Sequence, residues 1–355
     1  MVDLKFFKGK RVFLTGHTGF KGSWLSRILV QADAELTGYS LAPPTEPNLF
    51  LICGVEGKMN SIIGDICNRE KLFESFRQAN PEIVIHMAAQ PLVRESYKEP
   101  VYTYETNVMG TVNILECVRL YGQQVKSVLN VTTDKVYLNH EWCWGYREND
   151  PLDGFDPYSN SKSCSELVTH SYRNSFFADG KIAISTARAG NVIGGGDFAM
   201  DRIVPDCVRA ASKEEKIIVR NPHSTRPYQH VLEPLFAYLM IVQKQYENGK
   251  YADYYNVGPD DCDCVTTGQL VDSFCNAWGD GQVWENQFQG GPHEANFLKL
   301  DCAKIKSMFQ WLPSWSYEKA IEKTVDWTKA YLQKLDICHV MDEQILEFVN
   351  GRGRV

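Results

Sequence analysis

The sequence predicts an α/β fold, a doubly wound parallel sheet followed by a smaller C-terminal substrate-binding lobe. Three observations carry that prediction. Short apolar runs alternate with helix-like stretches from Arg11 to Gly194, the pattern of strands joined by crossover helices. The first run closes in the glycine-rich turn "TGHTGFKG". Two later runs, "PEIVIHMAA" and "VKSVLNVTT", end in small or hydroxyl side chains, as strands do when a ligand crosses their carboxyl ends.

In chain order, "RVFLTG" (Arg11 to Gly16) is the first strand and "SWLSRILVQA" its crossover helix. "AELTGYS" supplies a second strand, and "PEIVIHMAA" (Pro81 to Ala89) a buried one. "TNVMGTVNILECVRLYG" has helical spacing and stops at Gly122. The strand "VKSVLNVTT" follows, then the long helix "SKSCSELVTHSYRNSF" and the strand "KIAISTARAGNVIG". Together they make a Rossmann-like domain over residues 1–193. Beyond Gly194, glycines and prolines break the alternation, so residues 194–335 are expected to form mainly the lobe. A return to the sheet is expected near 229–258, through "YYNVGP". Residues 336–355 read as an appended extension with an amphipathic "MDEQILEFV".

A chain of 355 residues that is 44% hydrophobic has ample core for such a fold. Its net charge of −7 and the lack of a long basic run argue against nucleic acid as the partner. Eleven cysteines, an odd count, show no paired zinc spacing; Cys262 and Cys264 form a lone C-x-C, and no metal is expected. No apolar run has membrane-spanning length and no secretory leader pattern is visible, so a cytoplasmic protein with reduced thiols is expected, without a membrane partner.

Gly16, Gly19 and Gly22 stand between the first strand and the first helix. A turn there brings backbone N–H groups and a helix N-terminus close to a pyrophosphate, which points to a dinucleotide. Phe20 and Lys21 lie inside the same turn. The acid that would hold a ribose at the end of the second strand is missing: the chain reads "GYSLAPP", leaving Ser40 for the hydroxyl. NAD is favoured over NADP, although Lys21 leaves a phosphate clamp open. Asp65 and Ile66 in "GDICN" are candidates at the adenine; the alternative for Asp65 is an ordinary turn acid. Ala88 and Ala89 are small enough for a cofactor to lie against them, as they are for plain packing.

"YSNSK" sets Tyr158 and Lys162 four residues apart at the opening of a helix, on one face. An ammonium beside a phenol favours the phenolate, a base for a hydroxyl proton while hydride leaves the same carbon. With "TGHTGFKG", "HMAAQ", Asn107 in "ETNVMGT" and "VTTD", the chain resembles the extended short-chain dehydrogenase/reductase family across nearly its whole length. The resemblance implies a tightly held NAD(H), regenerated at each turnover, and a sugar-nucleotide lobe. It assigns Tyr158 as base, Lys162 as its tuner and ribose ligand, and Thr133 as hydroxyl partner of the substrate. Gln90, Asn107 and Thr132 join the cofactor contacts on the same ground.

Asp134 and Lys135 exceed what oxidation or epimerisation needs. Once C4 of a hexose is a ketone, the C5 proton is acidic, and its loss expels the C6 hydroxyl if an acid protonates it. "TTDKVYLN", "RAGNVIGGGDF", "DRIVPD", "NPHSTRPYQHVLEPL" and "HEANFLKLD" resemble the family branch that carries out this 4,6-dehydration on CDP-glucose. That likeness implies Asp134 as the C6 acid and Lys135 as the C5 base; a Lys135 that stays charged and stabilises the enolate is the alternative. It also implies a keto-deoxysugar precursor of 3,6-dideoxyhexoses in bacterial surface polysaccharide. Tyr137 is a further candidate for the sugar pocket, or a packing residue.

For the substrate's two phosphates, Arg202 and Arg226 offer guanidinium forks, with His293 or Lys299 assisting and Asn191 as a donor. Arg220, in "IIVRNP", belongs to the segment that by resemblance lies against the pyrimidine. Helices near Glu105 to Leu120 and Lys162 to Phe176 resemble the family's dimer-forming pair, implying a homodimer or dimer of dimers. Rival readings are an NAD-dependent nucleotide-sugar 4-epimerase, a dehydratase for another nucleotide, and a non-catalytic dinucleotide sensor.

Overall fold

The computed structural model describes residues 2–287 and 296–351. Six strands follow the expected alternation: β1 (Arg11–Thr15), β2 (Glu35–Ser40), β3 (Asn60–Ile63), β4 (Ile83–His86), β5 (Ser127–Thr133) and β6 (Ala183–Ala189). The short strands β7 (Asn191–Ile193), β8 (Ile217–Val219) and β9 (Thr225–His230) then leave the main sheet, and β10 (Tyr254–Val257) pairs with β6. Two more, β11 (Cys264–Thr266) and β12 (Trp284–Asn286), lie among the lobe elements.

The main sheet has seven strands in the order β10-β6-β5-β4-β1-β2-β3, every neighbouring pair parallel. Strand order reverses between β1 and β4, and ligands bind outside the strand ends at such a switch point. Both faces are covered, so the central strands read as unbroken buried runs; all seven residues of β5 and all seven of β6 are buried. One face packs Leu14, Trp24, Ile85 and Leu129 with the helix Leu232–Glu247. The other packs Phe13, Tyr39, Phe76, Val84 and Ile114.

In the lobe, β9 pairs parallel with β7 and antiparallel with β11, and β8 pairs parallel with β12. A separate cluster that includes Val204, Leu270, Phe274 and Ile321 fills it. The segment after Asp336 is the helix Ile337–Gly351, which buries Ile337, Met341, Ile345 and Phe348. Arg27 of the first helix, Phe20–Gln31, clamps Asp342 of this last helix through Nε and Nη2, both at 2.6 Å. No helix among the described residues is long and apolar enough to cross a membrane, and all eleven cysteines are free.

Candidate active site

The glycine turn closes β1 against the first helix by contact distance. Gly16 has φ +79°, and a Cβ there would sit 2.8 Å from the Ala88 backbone nitrogen, so the turn and the end of β4 approach as only glycine allows. A Cβ on Gly22 would come within 2.0 Å of the Gly16 carbonyl oxygen. Gly19 caps the helix without a side chain, which leaves the first N–H groups open to an anion. Thr15 Oγ1 accepts from Met87 N and Ala88 N, both at 3.1 Å, tying the two strand ends together.

At the far end of this surface, Ser40 Oγ lies 2.8 Å from Thr18 Oγ1. Asp65 Oδ1 accepts from Cys67 N at 2.8 Å, and Ile66 is buried. Gln90 and Asn107 are also buried, but their side chains serve each other and the fold. Asn107 Oδ1 accepts from Gln90 N and its Nδ2 donates to Gln90 O and Ser161 Oγ; Gln90 Nε2 donates to Thr103. Both therefore brace the loop after β4.

Strand alternation separates the two threonines that end β5. Thr132 Oγ1 points into the core and donates to Glu166 Oε1 at 2.5 Å, so its side chain is not available to a cofactor. Thr133 faces the cleft, donates to Asp134 Oδ1 at 3.0 Å and is hydrogen-bonded to Tyr158. The helix Pro157–Phe176 that bears Tyr158 and Lys162 starts on an Asp156 cap, whose Oδ1 accepts from Ser159 N at 2.9 Å, with proline in its first turn.

Asp134 is wholly buried. Its Oδ1 accepts from Lys135 Nζ at 3.2 Å, and Oδ2 has no partner among the described residues. Lys135 Nζ also donates to Asn191 Oδ1 at 3.3 Å, so Asn191 stands with the acid–base pair. Burial pushes the Tyr158 phenol up to about 12; Thr133 and Arg202 act against that, while Asp134 and Asp156 add to it. Lys162 donates to Val131 O at 3.1 Å. Burial, with the Lys21 charge nearby, brings its ammonium down to about 7, and Glu166 opposes the fall.

Several expectations need correction. Lys21 does not reach toward the end of β2. Its ammonium lies by the Tyr238 ring, 6.0 Å from the centroid, and is held near 8 by burial and by Arg202, against Asp134. That places it at the catalytic end and removes it as a clamp for a ribose phosphate. Tyr137 is not a pocket residue: its buried hydroxyl donates to Asn256 Oδ1 at 2.6 Å and accepts from Arg188 at 2.8 Å.

Arg202 donates to Asp197 at 2.8 Å and acts on Tyr158. Arg220 pairs with Asp201 at 3.3 Å and Asp206 at 3.9 Å, and Arg94, which no motif singled out, reaches the same Asp201 at 3.5 Å. Arg226 is buried and donates to the Thr225 carbonyl at 2.9 Å. Lys299 pairs with Asp261 at 3.7 Å, and His293 lies outside the described residues. The structure thus brings Lys21, Thr133, Asp134, Lys135, Tyr158, Lys162, Asn191 and Arg202 together, and sets Arg220 and Lys299 in separate ion pairs.

The model of the family described as GDP-mannose 4,6 dehydratase matches residues 13–324. A CDP-glucose 4,6-dehydratase of Salmonella typhimurium is 48% identical over the whole of both chains. A probable dTDP-glucose 4,6-dehydratase of Sinorhizobium fredii is 26% identical, over 89% of this chain and 92% of that one. Among solved structures, a UDP-glucose 4-epimerase of Thermotoga maritima superposes with a TM-score of 0.79 at 20% identity, covering 90% of this chain and 99% of its own. A dTDP-glucose 4,6-dehydratase of Bacillus anthracis in complex with NAD superposes with a TM-score of 0.76 at 22% identity, covering 91% and 98%. At such identities the structural matches speak for the fold.

Proposed function

Because the chain belongs to the GDP-mannose 4,6 dehydratase family, we propose that it converts CDP-D-glucose to CDP-4-dehydro-6-deoxy-D-glucose with NAD as its cofactor. The observation that carries the reaction type is Asp134, a buried carboxylate with one unpartnered oxygen beside Thr133 and Lys135. An epimerase has no use for an acid aimed at C6. The nucleotide is taken from the full-length relative at 48% identity.

The residues fit NAD. The turn of Gly16, Gly19 and Gly22 leaves backbone N–H groups open to a pyrophosphate, and Ser40, held by Thr18 of that turn, stands at the end of β2 for a ribose hydroxyl. Lys162 would reach the nicotinamide ribose, and Ala88 and Ala89 would lie under the dinucleotide. Bound NAD would supply the hydride chemistry, accepting from the C4 carbinol carbon and giving back to C6 after its hydroxyl has left, so that no net NADH would be released.

The chain's own residues handle the protons. Tyr158, with Thr133 as hydroxyl partner, takes the proton of the C4 hydroxyl; cations favour its phenolate, and Arg202 already acts in that sense. Lys135 removes the proton at C5, made acidic by the C4 ketone, and returns it there once hydride has reached C6; Asp134 protonates the departing C6 hydroxyl. Arg202 and Arg226 are proposed to hold the diphosphate, Arg220 to lie at the nucleoside end, and Lys299 to assist.

The product's C4 ketone and C6 methyl suit a later 3-deoxygenation, so we place it upstream of 3,6-dideoxyhexoses for surface polysaccharide. The free thiols favour a cytoplasmic enzyme. We also propose a homodimer, or a dimer of dimers, through the face where Val101, Met109, Leu167 and Phe176 are exposed.

Mass spectrometry after separate incubation with CDP-, UDP-, dTDP- and GDP-glucose in the presence of NAD tests the reading. Loss of one water from CDP-glucose, without net NADH, is expected. An isobaric galactose product would make the protein an epimerase, and water loss from another nucleotide alone would overturn the cytidine assignment.

A further inference from the structure

Beneath the catalytic helix lies a charged pair that the reaction scheme leaves unused. Glu166 follows Lys162 by one helical turn, on the same face, and is wholly buried. Its Oε1 accepts from Thr132 of β5 at 2.5 Å; its Oε2 accepts from Thr186 at 2.7 Å and from Arg188 Nη2 at 2.9 Å, both on β6. Arg188, equally buried, continues to the Tyr137 hydroxyl at 2.8 Å, and Tyr137 continues to Asn256 on β10 at 2.6 Å. One carboxylate therefore ties the catalytic helix directly to two neighbouring strands, and through Arg188 and Tyr137 to a third.

Stability alone is a poor reason for this arrangement. A buried ion pair often does no better than well-packed apolar residues of the same volume, because both charges have lost their water. The partner set suggests what it does instead. Thr132 is drawn down to Glu166, so strand alternation turns Thr133 up to the cleft and Asp134 follows at the strand end. The same carboxylate acts on Lys162 from below.

Other groups face that lysine. Lys21 approaches from the first helix, and His86 from β4 is kept neutral by burial, with its imidazole down to about 3. Tyr158 is on its own helix, and β5 offers the Val131 carbonyl at 3.1 Å. Glu166 is the acid in this set. Burial opposes its ionisation, but Arg188, His170 at 3.4 Å one turn further on, and its hydrogen bonds hold it down at about 2.

We propose that Glu166 is a positioning residue: it fixes the Thr133–Asp134 strand end and keeps Lys162 charged against the opposing charge of Lys21. The inference rests on the proposed roles of Tyr158 and Lys162.

The test uses the full-length enzyme carrying Glu166→Gln or Lys21→Met. Lys162 is titrated directly, from the pH dependence of its labelling by trace acetic anhydride, read by peptide mass spectrometry without cofactor. The pH profile of kcat is measured beside it with NAD saturating. Glu166→Gln is expected to move the Lys162 midpoint and the alkaline limb of kcat to lower pH, by on the order of one unit, and Lys21→Met to higher pH. Glu166→Asp should restore most of the shift. If Glu166→Gln does not fold because Arg188 is left unpaired, Glu166→Gln combined with Arg188→Met removes the pair and should give the same downward shift. An unchanged Lys162 midpoint in a folded Glu166 variant would leave only a structural role and overturn the proposal. Tyr158→Phe separates the two readings: if it still oxidises C4, the catalytic assignment fails, whatever Glu166 does.

Discussion

Replacing Gly22 by alanine tests the closeness of the glycine turn to the first helix, and the structure sets the size of the effect. The new methyl would stand 2.0 Å from the Gly16 carbonyl oxygen, 2.7 Å from His17 Cα and 2.8 Å from the Gly16 carbonyl carbon. Ordinary contact begins at 3.4 Å, so the gap must open by 3.4 − 2.0, or about 1.4 Å. Every obstructing atom is backbone, and no side chain can swing aside. The helix must retreat from the turn, straining the bonds from Ser23 N to Gly19 O at 2.8 Å and from Gly19 N to Gly16 O at 3.3 Å. Overpacking by one methyl costs about 1–3 kcal/mol. Gly19→Ala is the control, since its methyl meets nothing closer than 3.5 Å and its φ of −78° suits any residue. Urea unfolding should show Gly22→Ala destabilised by that amount and Gly19→Ala within about 0.5 kcal/mol of the parent. Titration with NAD should show both weakened, Gly19→Ala because its methyl enters the ligand's space. A Gly22→Ala protein of parental stability would refute the packing argument, and a Gly19→Ala protein of parental affinity would refute the placement of the cofactor over the turn.

Lys135→Met should abolish solvent deuterium incorporation at C5 while C4 oxidation persists in a single turnover; retained exchange would move the base elsewhere. Acid should destabilise the fold through three buried neutral histidines, His17 at about 4 and His86 and His230 at about 3, all lowered by burial. Between about pH 6 and 4 the unfolded chain binds protons there that the native state does not, so unfolding free energy should fall with pH, by about 1.4 kcal/mol per unit per histidine at full slope. Urea midpoints that are flat across this window would contradict it. Leu167→Glu, which charges an apolar side chain 52% exposed on the proposed dimer face, should halve the mass seen by sedimentation velocity; an unchanged mass would place the interface elsewhere.

The parts of the site legible in the sequence are those written in one stretch of chain. "TGHTGFKG" between strand and helix, the buried run ending in "VTTDK", and "YSNSK" opening a helix each contain their own geometry. What sequence could not supply is the direction of side chains whose partners are remote. Lys21 looked like a neighbour of the ribose because it sits in the glycine turn, yet it faces Arg202 and Asp134, far along the chain. Tyr137 and Thr132 are near the catalytic residues in sequence, but their hydroxyls serve Asn256, Arg188 and Glu166. The docking of the last helix depends on Arg27 and Asp342, 315 positions apart. Glu166 does carry a local signal: one turn beyond Lys162, it sits in a helix otherwise rich in small polar residues.

The adjacency of Asp134 and Lys135 has a chemical reason on the proposed roles. Elimination across C5 and C6 takes one proton from carbon and gives one to the departing hydroxyl, so the step is neutral overall. The base that gains a proton and the acid that loses one end as an ammonium and a carboxylate. That is the ion pair in this structure, with Lys135 Nζ 3.2 Å from Asp134 Oδ1. When hydride reaches C6 the ammonium returns its proton to C5, and the proton that Tyr158 took from the C4 hydroxyl replaces the one Asp134 gave to the departing water, so the cycle closes with no net proton. A carboxylate oxygen buried without a partner costs about 1–3 kcal/mol, and Oδ2 of Asp134 is such an oxygen. In the carboxylate form the nearby charges of Lys135 and Lys21 offset part of that cost, and in the acid form Oδ2 can carry the proton that goes to the C6 hydroxyl. The pair is adjacent because one elimination uses both side chains on neighbouring carbons, Lys135 at C5 and Asp134 at C6.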